Sequence, residues 1–152
     1  MVALVHQLAV LASQLLSNQE VAWVLLSFDE YKKLGGKVTD ETKFKQLESD
    51  AEDLFNARTN GYYIEHDIDS DTNTRRVKYF KKALEMQINF TNDIGASTIY
   101  DIADQTVHSV SIDGTTVQVN KTAADETRKG IYTLSWQYLL QTGLLFRGVP
   151  ID

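Results

Sequence analysis

The stretch Val77-Lys78-Tyr79-Phe80-Lys81-Lys82-Ala83-Leu84-Glu85-Met86-Gln87-Ile88 decides the fold. Val77, Phe80, Leu84 and Ile88 recur at steps of three and four, with Ala83 and Gln87 beside them. That spacing puts the apolar side chains on one face of an α-helix; a half-buried strand would alternate instead. Thr72, Asn73 or Thr74 is the expected cap, because a side-chain oxygen there can accept from the first free amides. A seam this apolar must be covered by other elements.

Upstream, the same period appears in Phe44, Leu47, Ala51, Leu54 and Phe55, with acids on the opposite face. Thr39 or Asp40 is read as the cap, and Asn60-Gly61 as the stop, with Gly61 in the left-handed position after the helix. Residues 27–34 read as a shorter helix ended by Gly35-Gly36. Residues 62–73 are expected to be a polar connection. Downstream, residues 94–105 are ambiguous: Ile99, Ile102 and Ala103 can face inward from a short helix.

The period then changes to two. Val107, Ser109 and Ser111 alternate with His108, Val110 and Ile112; Asp113-Gly114 follows, and residues 115–119 alternate again. Asp-Gly between alternating runs is a strong hairpin signal, since both turn positions need positive φ. A lone hairpin is marginal in water, so this one is expected to pack on the helices or pair with a partner's strand. A last helix is expected over residues 124–142, presenting Ile131, Leu134, Tyr138 and, beside them, Leu139 and Trp136. Gly143 is its left-handed stop, after which Leu144 folds back on the last turn. The expected class is mainly α: a bundle of about four helices with one inserted β-hairpin at about residues 107–120.

The chain has 152 residues, no cysteine and a net charge of −6. The length suits one domain able to bury its own core. Without cysteine, disulfide frameworks, thiolate zinc sites and thiol catalysis are excluded. Pro150 is the only proline, so long helices are permitted almost anywhere. The acidic balance argues against a grip on DNA phosphates. The nearest basic cluster, Arg75-Arg76-Val77-Lys78 with Lys81-Lys82, is offset by Asp67, Asp69 and Asp71, and reads as a solvated helix face.

Residues 1–23 form an extension to a helical body of residues 24–143 and a tail of residues 144–152. Glu20 is the only charged side chain before residue 27, yet polar residues interrupt any membrane span, and no positive region suggests a secretory signal. Two readings stay open. Leu4, Leu8, Leu11 and Leu15 have the a/d spacing of an amphipathic helix that packs on the body or on a neighbouring subunit. Alternatively, translation starts near Val24 or Leu25, because codons for Gln19-Glu20-Val21 can contain AGGAGGT, a strong ribosome-binding site; this second reading is slightly preferred.

Asp67-x-Asp69-x-Asp71-x-Asn73 opens like a calcium-binding EF-hand loop. Thr72 stands where that loop needs glycine, and Lys78 where it needs a bidentate glutamate. A polar turn is therefore expected. His6, His66 and His108 are scattered without metal-ligand spacing. No nucleophile elbow or phosphate-cradling glycine loop occurs. No metal, no cofactor and no catalysis are expected.

Three blocks together resemble the head–tail connector (adaptor, or head-completion) family of siphophages infecting Gram-positive bacteria. The first is Leu26-Ser27-Phe28-Asp29-Glu30-Tyr31-Lys32-Lys33-Leu34-Gly35-Gly36, leading to Ala57-Arg58-Thr59-Asn60-Gly61-Tyr62-Tyr63. The second is the hairpin Val110-Ser111-Ile112-Asp113-Gly114 with its return strand, and the third is Thr142-Gly143-Leu144-Leu145-Phe146-Arg147-Gly148-Val149. The family more often has tyrosine where Phe146 stands.

The resemblance covers about residues 25–150. It implies a helical fold with a hairpin, and a homo-oligomeric ring, usually of twelve subunits, bound beneath the portal protein. The ring would extend the DNA channel without gripping DNA and offer a platform to a stopper or tail-completion protein. The expected locations are the virion neck and, during assembly, the host cytoplasm, with no membrane contact. The expected portal or subunit contacts are Ile112, Asp113, Gly114 and Thr115 at the hairpin, and Leu144, Leu145, Phe146, Arg147, Gly148 and Val149 in the tail. The alternatives are a small nucleic-acid-binding packaging factor, or a stopper or tail-terminator protein of the neck.

Overall fold

The computed structural model describes residues 2–17, 24–95, 106–107, 110–112, 115–117 and 121–145, and the side chains among them except those of 14–17 and 106–124. The chain is mainly helical. In order come α1 (Val2–Ser17), α2 (Phe28–Leu34), α3 (Glu41–Thr59), α4 (Tyr62–Glu65), a 3₁₀ turn (Ile68–Ser70) and α5 (Thr74–Ile94). Strands β1 (Thr106–Val107), β2 (Val110–Ile112), β3 (Thr115–Val117) and β4 (Lys121–Thr122) follow. A 3₁₀ turn (Ala123–Glu126), β5 (Thr127–Arg128), β6 (Ile131–Tyr132) and α6 (Thr133–Gln141) complete the described chain. Among the described residues no helix is long and apolar enough to cross a membrane.

The predicted seam is the centre of the molecule. Phe80, Ala83, Leu84 and Ile88 of α5 are fully buried, and Val77 packs against them. On one side, Phe55 meets the Phe80 ring edge-on at 5.5 Å, whereas Leu47 shares a hollow with Thr91. Helix α3 therefore runs antiparallel to α5. On the other side, the Ser135 hydroxyl donates to the Ala83 carbonyl (2.6 Å), and the Tyr79 and Tyr138 rings lie 5.7 Å apart. Helix α6 is thus antiparallel as well. Gln87, buried in the middle, accepts from the Tyr132 amide at 2.8 Å, which explains how a polar group is tolerated there.

The caps follow the sequence. Asp40 accepts from the amides of Thr42 and Lys43, and Asn73 from that of Arg76. Ser27 and Glu30 form a reciprocal capping box at the start of α2. Asn60 and Gly61 both take the left-handed conformation after α3. Tyr31 of α2 donates to Asn89 of α5 (2.5 Å) and accepts from the Val38 amide; Asn89 also accepts from the Lys37 amide and donates to Glu85 (2.6 Å). Lys82 lies 2.6 Å from the other Glu85 oxygen. This network ties α2 and the loop after it onto α5. Gly36 belongs to the same closure, since a Cβ there would run into the Tyr31 ring.

Three expectations need correction. Residues 62–73 are not a plain polar connection: Tyr63 and Ile68 are buried, and α4 and the 3₁₀ turn hold them there. The tyrosine pair and Ile68 supply an apolar payload that the surrounding acids mask. Residues 124–142 are not one helix. Lys129 and Gly130 both adopt positive φ (55° and 82°), making a tight β5–β6 hairpin, so α6 begins only at Thr133. The β-branched and aromatic residues Thr127, Ile131 and Tyr132 favour strands, and glycine favours the turn. Leu134 is exposed at 42%, because α6 turns Ser135 and Leu139 toward α5 and Leu134 lies about 100° round the helix from Ser135.

The Asp-Gly hairpin is present. Ile112 pairs with Thr115, Ser111 with Thr116 and Val110 with Val117, leaving two residues for the turn. A second ladder pairs Thr106 with Thr122 and Val107 with Lys121. Two residues (108–109) on the outgoing side thus correspond to three (118–120) on the return, so the ladders are one residue out of register. The readings of Ile99, Ile102, Ala103 and His108 lie outside the described residues. Residues 2–17 are helical as α1, but Leu4, Leu8 and Leu11 are exposed at 68, 60 and 53%, so their seam is not packed on the body, and the Leu15 side chain lies outside those described.

Candidate assembly interface

Of the expected contact residues, Ile112 and Thr115 form the last rung before the hairpin turn. Asp113 and Gly114 lie outside the described residues, as do Phe146, Arg147, Gly148 and Val149. Leu144 and Leu145 are half-buried against the core, and the Leu144 amide donates to the Thr142 hydroxyl (3.2 Å). Gly143, at φ 79°, makes the fold-back. The start of the tail is therefore anchored on the body.

The basic cluster on α5 is largely occupied. Arg76 donates to the Tyr62 hydroxyl (2.6 Å), lies over the Tyr62 ring and pairs with Asp71 (3.6 Å). Burial opposes ionisation of Asp71, but the Asn73 amide, the Tyr63 hydroxyl and the Arg76 charge together hold its carboxyl below the usual range. Lys81 reaches Glu30 (2.7 Å) and Asp69 (3.5 Å), and Lys82 donates to the Leu34 carbonyl. Arg75 lies over the Tyr79 ring. Lys81 and Arg76 are clips between elements, not the solvated face expected of them.

The EF-hand-like acids are also committed. Asp67 accepts from the Asp69 amide and the Ser70 hydroxyl, Asp71 from the Asn73 amide and Tyr63, and Asn73 caps α5. Among the described residues, no three His, Cys, Asp or Glu side chains are grouped to hold a metal. His66 stacks on Tyr62 at 4.3 Å. A hollow of about 250 Å³ beside α5 is lined by Lys37, Lys82, Glu85, Asn89, Asp93 and Tyr132, and its lysines are paired with its carboxylates, Lys37 with Asp93 and Lys82 with Glu85 (2.6 Å each).

Two edges of α3 were not singled out from sequence. Glu48, Glu52 and Asn56 stand at i, i+4 and i+8, so they follow one edge of the helix. Burial, reinforced by the Glu52 carboxyl, pushes the Glu48 carboxyl up to about 9, although the Leu26 amide donates to it. Across α3, Arg58 donates to the Lys129 carbonyl (3.3 Å) and so fastens the β5–β6 tip to the helix. Arg128 and Lys129 both lie over the Trp136 ring, at 5.3 and 6.0 Å from its centre. Lys129-Gly130 between short strand-forming pairs was the available signal, hidden by the helical spacing around it.

No protein-family model matches the chain. It is similar to an uncharacterized protein, ORF4, of Lactococcus phage LL-H, 27% identical over 137 residues that cover 82% of this chain and 95% of that protein. The uncharacterized protein ORF4 of Lactococcus phage mv4 is 25% identical over the same spans. The chain is a phage protein. No solved structure matches it. Nearly the full length of each phage relative is matched, so the similarity concerns a whole small protein.

Proposed function

We propose that this phage protein is a structural subunit of the head–tail connector. It assembles with copies of itself into a ring, of about twelve subunits, that binds the portal protein and extends the DNA channel. The ring presents a platform to a stopper or tail-completion protein, works in the virion neck and catalyses no reaction. The observation that carries this reading is the architecture around the C-terminus. A helical body holds α6 on its central helix, turns the chain at Gly143 and anchors Leu144 and Leu145, so that the start of the tail is fixed on the body. Similarity to whole phage proteins of comparable length, and the three connector-like blocks, support the same reading.

Phosphate binding is the weaker alternative. Of its candidate cations, Arg76, Lys81 and Lys82 already have carboxylate partners and Arg75 lies over the Tyr79 ring, and a net charge of −6 discourages DNA from sticking to a channel wall.

Antibody labelling or cryo-electron microscopy of the cognate virion tests the proposal. The expected result is several copies in the neck, between portal and tail. Removing residues 146–152 should leave the melting temperature of the purified body nearly unchanged and stop heads from joining tails. A neck without this protein, or infectious particles carrying only the truncated form, would overturn the assignment.

A further inference from the structure

Among the described residues, nothing of the core lies ahead of Leu25. Leu25 and Leu26 are 3% and 0% exposed, and every other buried apolar side chain comes later in the sequence. Ser27 caps α2 immediately afterwards. Helix α1 adds nothing to this body, since Leu4, Leu8 and Leu11 face water. Where the body begins, two acids of α3 stand side by side. The Leu26 amide donates to the Glu48 carboxyl, which is hydrogen-bonded to that of Glu52 one turn on; burial and Glu52 keep Glu48 protonated. No lysine or arginine among the described residues is paired with either acid. A positive group placed there would let both ionise. Consecutive backbone nitrogens are about 3.5 Å apart, so the Leu25 nitrogen lies within about 7 Å of the Glu48 oxygen that Leu26 reaches.

We propose that the working form of this protein begins at Leu25 or the residue before it, and that Glu48 and Glu52 seat its α-ammonium. The ammonium brings the donors and the charge that the pair lacks, and it clamps the start of the chain to α3. Methionine fills a buried leucine position at little cost, so an initiator fits where Leu25 is buried. Codons for Gln19-Glu20-Val21 can hold a ribosome-binding sequence a few codons upstream. The phage relatives agree in length: 18% of these 152 residues, about 27, lie outside a match that takes in 95% of the LL-H protein. A divalent cation is the poorer occupant, because among the described residues no third carboxylate or histidine joins the pair. The seat belongs to the single chain and holds with or without a ring.

Intact mass of the protein from phage-infected cells tests the start. The expected product begins at residue 24 or 25; one that retains residues 1–23 would overturn the proposal. Thermal melts at neutral pH test the seat, comparing the full chain with residues 25–152 carrying Leu25→Met. The short chain should fold, as no core residue precedes it. In it, Glu48→Gln/Glu52→Gln should lower the melting temperature by about 3 °C or more. Acetylating its α-amino group should cost a similar shift and remove the effect of the two substitutions. In the full chain, where the residue 25 nitrogen is an uncharged amide, the same substitutions should leave the melting temperature unchanged or higher. If the double variant does not fold by circular dichroism, Glu52→Gln alone and the acetylated chain decide. A short chain that does not fold, substitutions that act alike in both chains, or acetylation without effect would each sink the proposal. None of these outcomes bears on whether the protein is found in the neck.

Discussion

At the residue scale, a few side chains set how stability depends on pH. The Asp71 carboxyl is held below its ordinary value of 3.8, and Glu30 below 4.5: burial opposes this at Glu30, but the Lys81 ammonium and the Ser27 amide and hydroxyl outweigh it. Their contributions are present above those values and are lost as pH falls through the folded-state values. Glu48 works in the opposite sense. Its contribution is complete below 4.5 and declines as pH rises toward about 9, because the unfolded chain releases a proton that the folded chain retains. Thermal melts across pH should therefore show greatest stability in the mildly acidic range. Glu48→Gln should flatten the alkaline limb and leave the acid limb in place; an unchanged alkaline limb would contradict this assignment. Leu84→Ala should cost about 2–5 kcal/mol in chemical denaturation, since Leu84 is fully buried. Asn89→Ala should cost about 1–3 kcal/mol, as it strands the Tyr31 hydroxyl and the Lys37 amide.

At the element scale, Ser27→Ala should cost about 0.5–2 kcal/mol by removing one half of the capping box on α2, measurable as a lowered unfolding midpoint. Lys129→Gly should raise the melting temperature of the isolated protein, because the turn then carries no side chain in the left-handed region. Helices α3 and α5 were legible because a long apolar stripe outweighs any local competitor, and their caps are residues with side-chain acceptors. The Asp113-Gly114 hairpin was legible for the same reason that Lys129-Gly130 was not. Asp-Gly sits between two clear alternating runs, whereas Lys129-Gly130 has only two strand residues on each side, and Ile131, Tyr138 and Leu139 imitate a helical stripe across the break. Tyr63 and Ile68 were missed because tertiary burial, not local pattern, makes a structural element of a stretch that reads as acid-rich loop. Neither edge of α3 carried a sequence signature: Arg58 and Lys129 are brought together only by folding.

At the scale of the whole molecule, α5 is the hub, with α2, α3 and α6 packed around it and much of the core built from its inward face. The last partner to be made is α6, and Ile131, Trp136 and Leu139 complete the core from the final stretch of the chain. Synthesis proceeds from the other end. While a ribosome is still producing this protein, Ala83, Leu84 and Ile88 are already outside with one flank uncovered, so a nascent chain is expected to need chaperone shelter until α6 has been made. Messages truncated before codon 131 would then yield insoluble product, whereas a stop codon just beyond the fold-back would still yield a folded body.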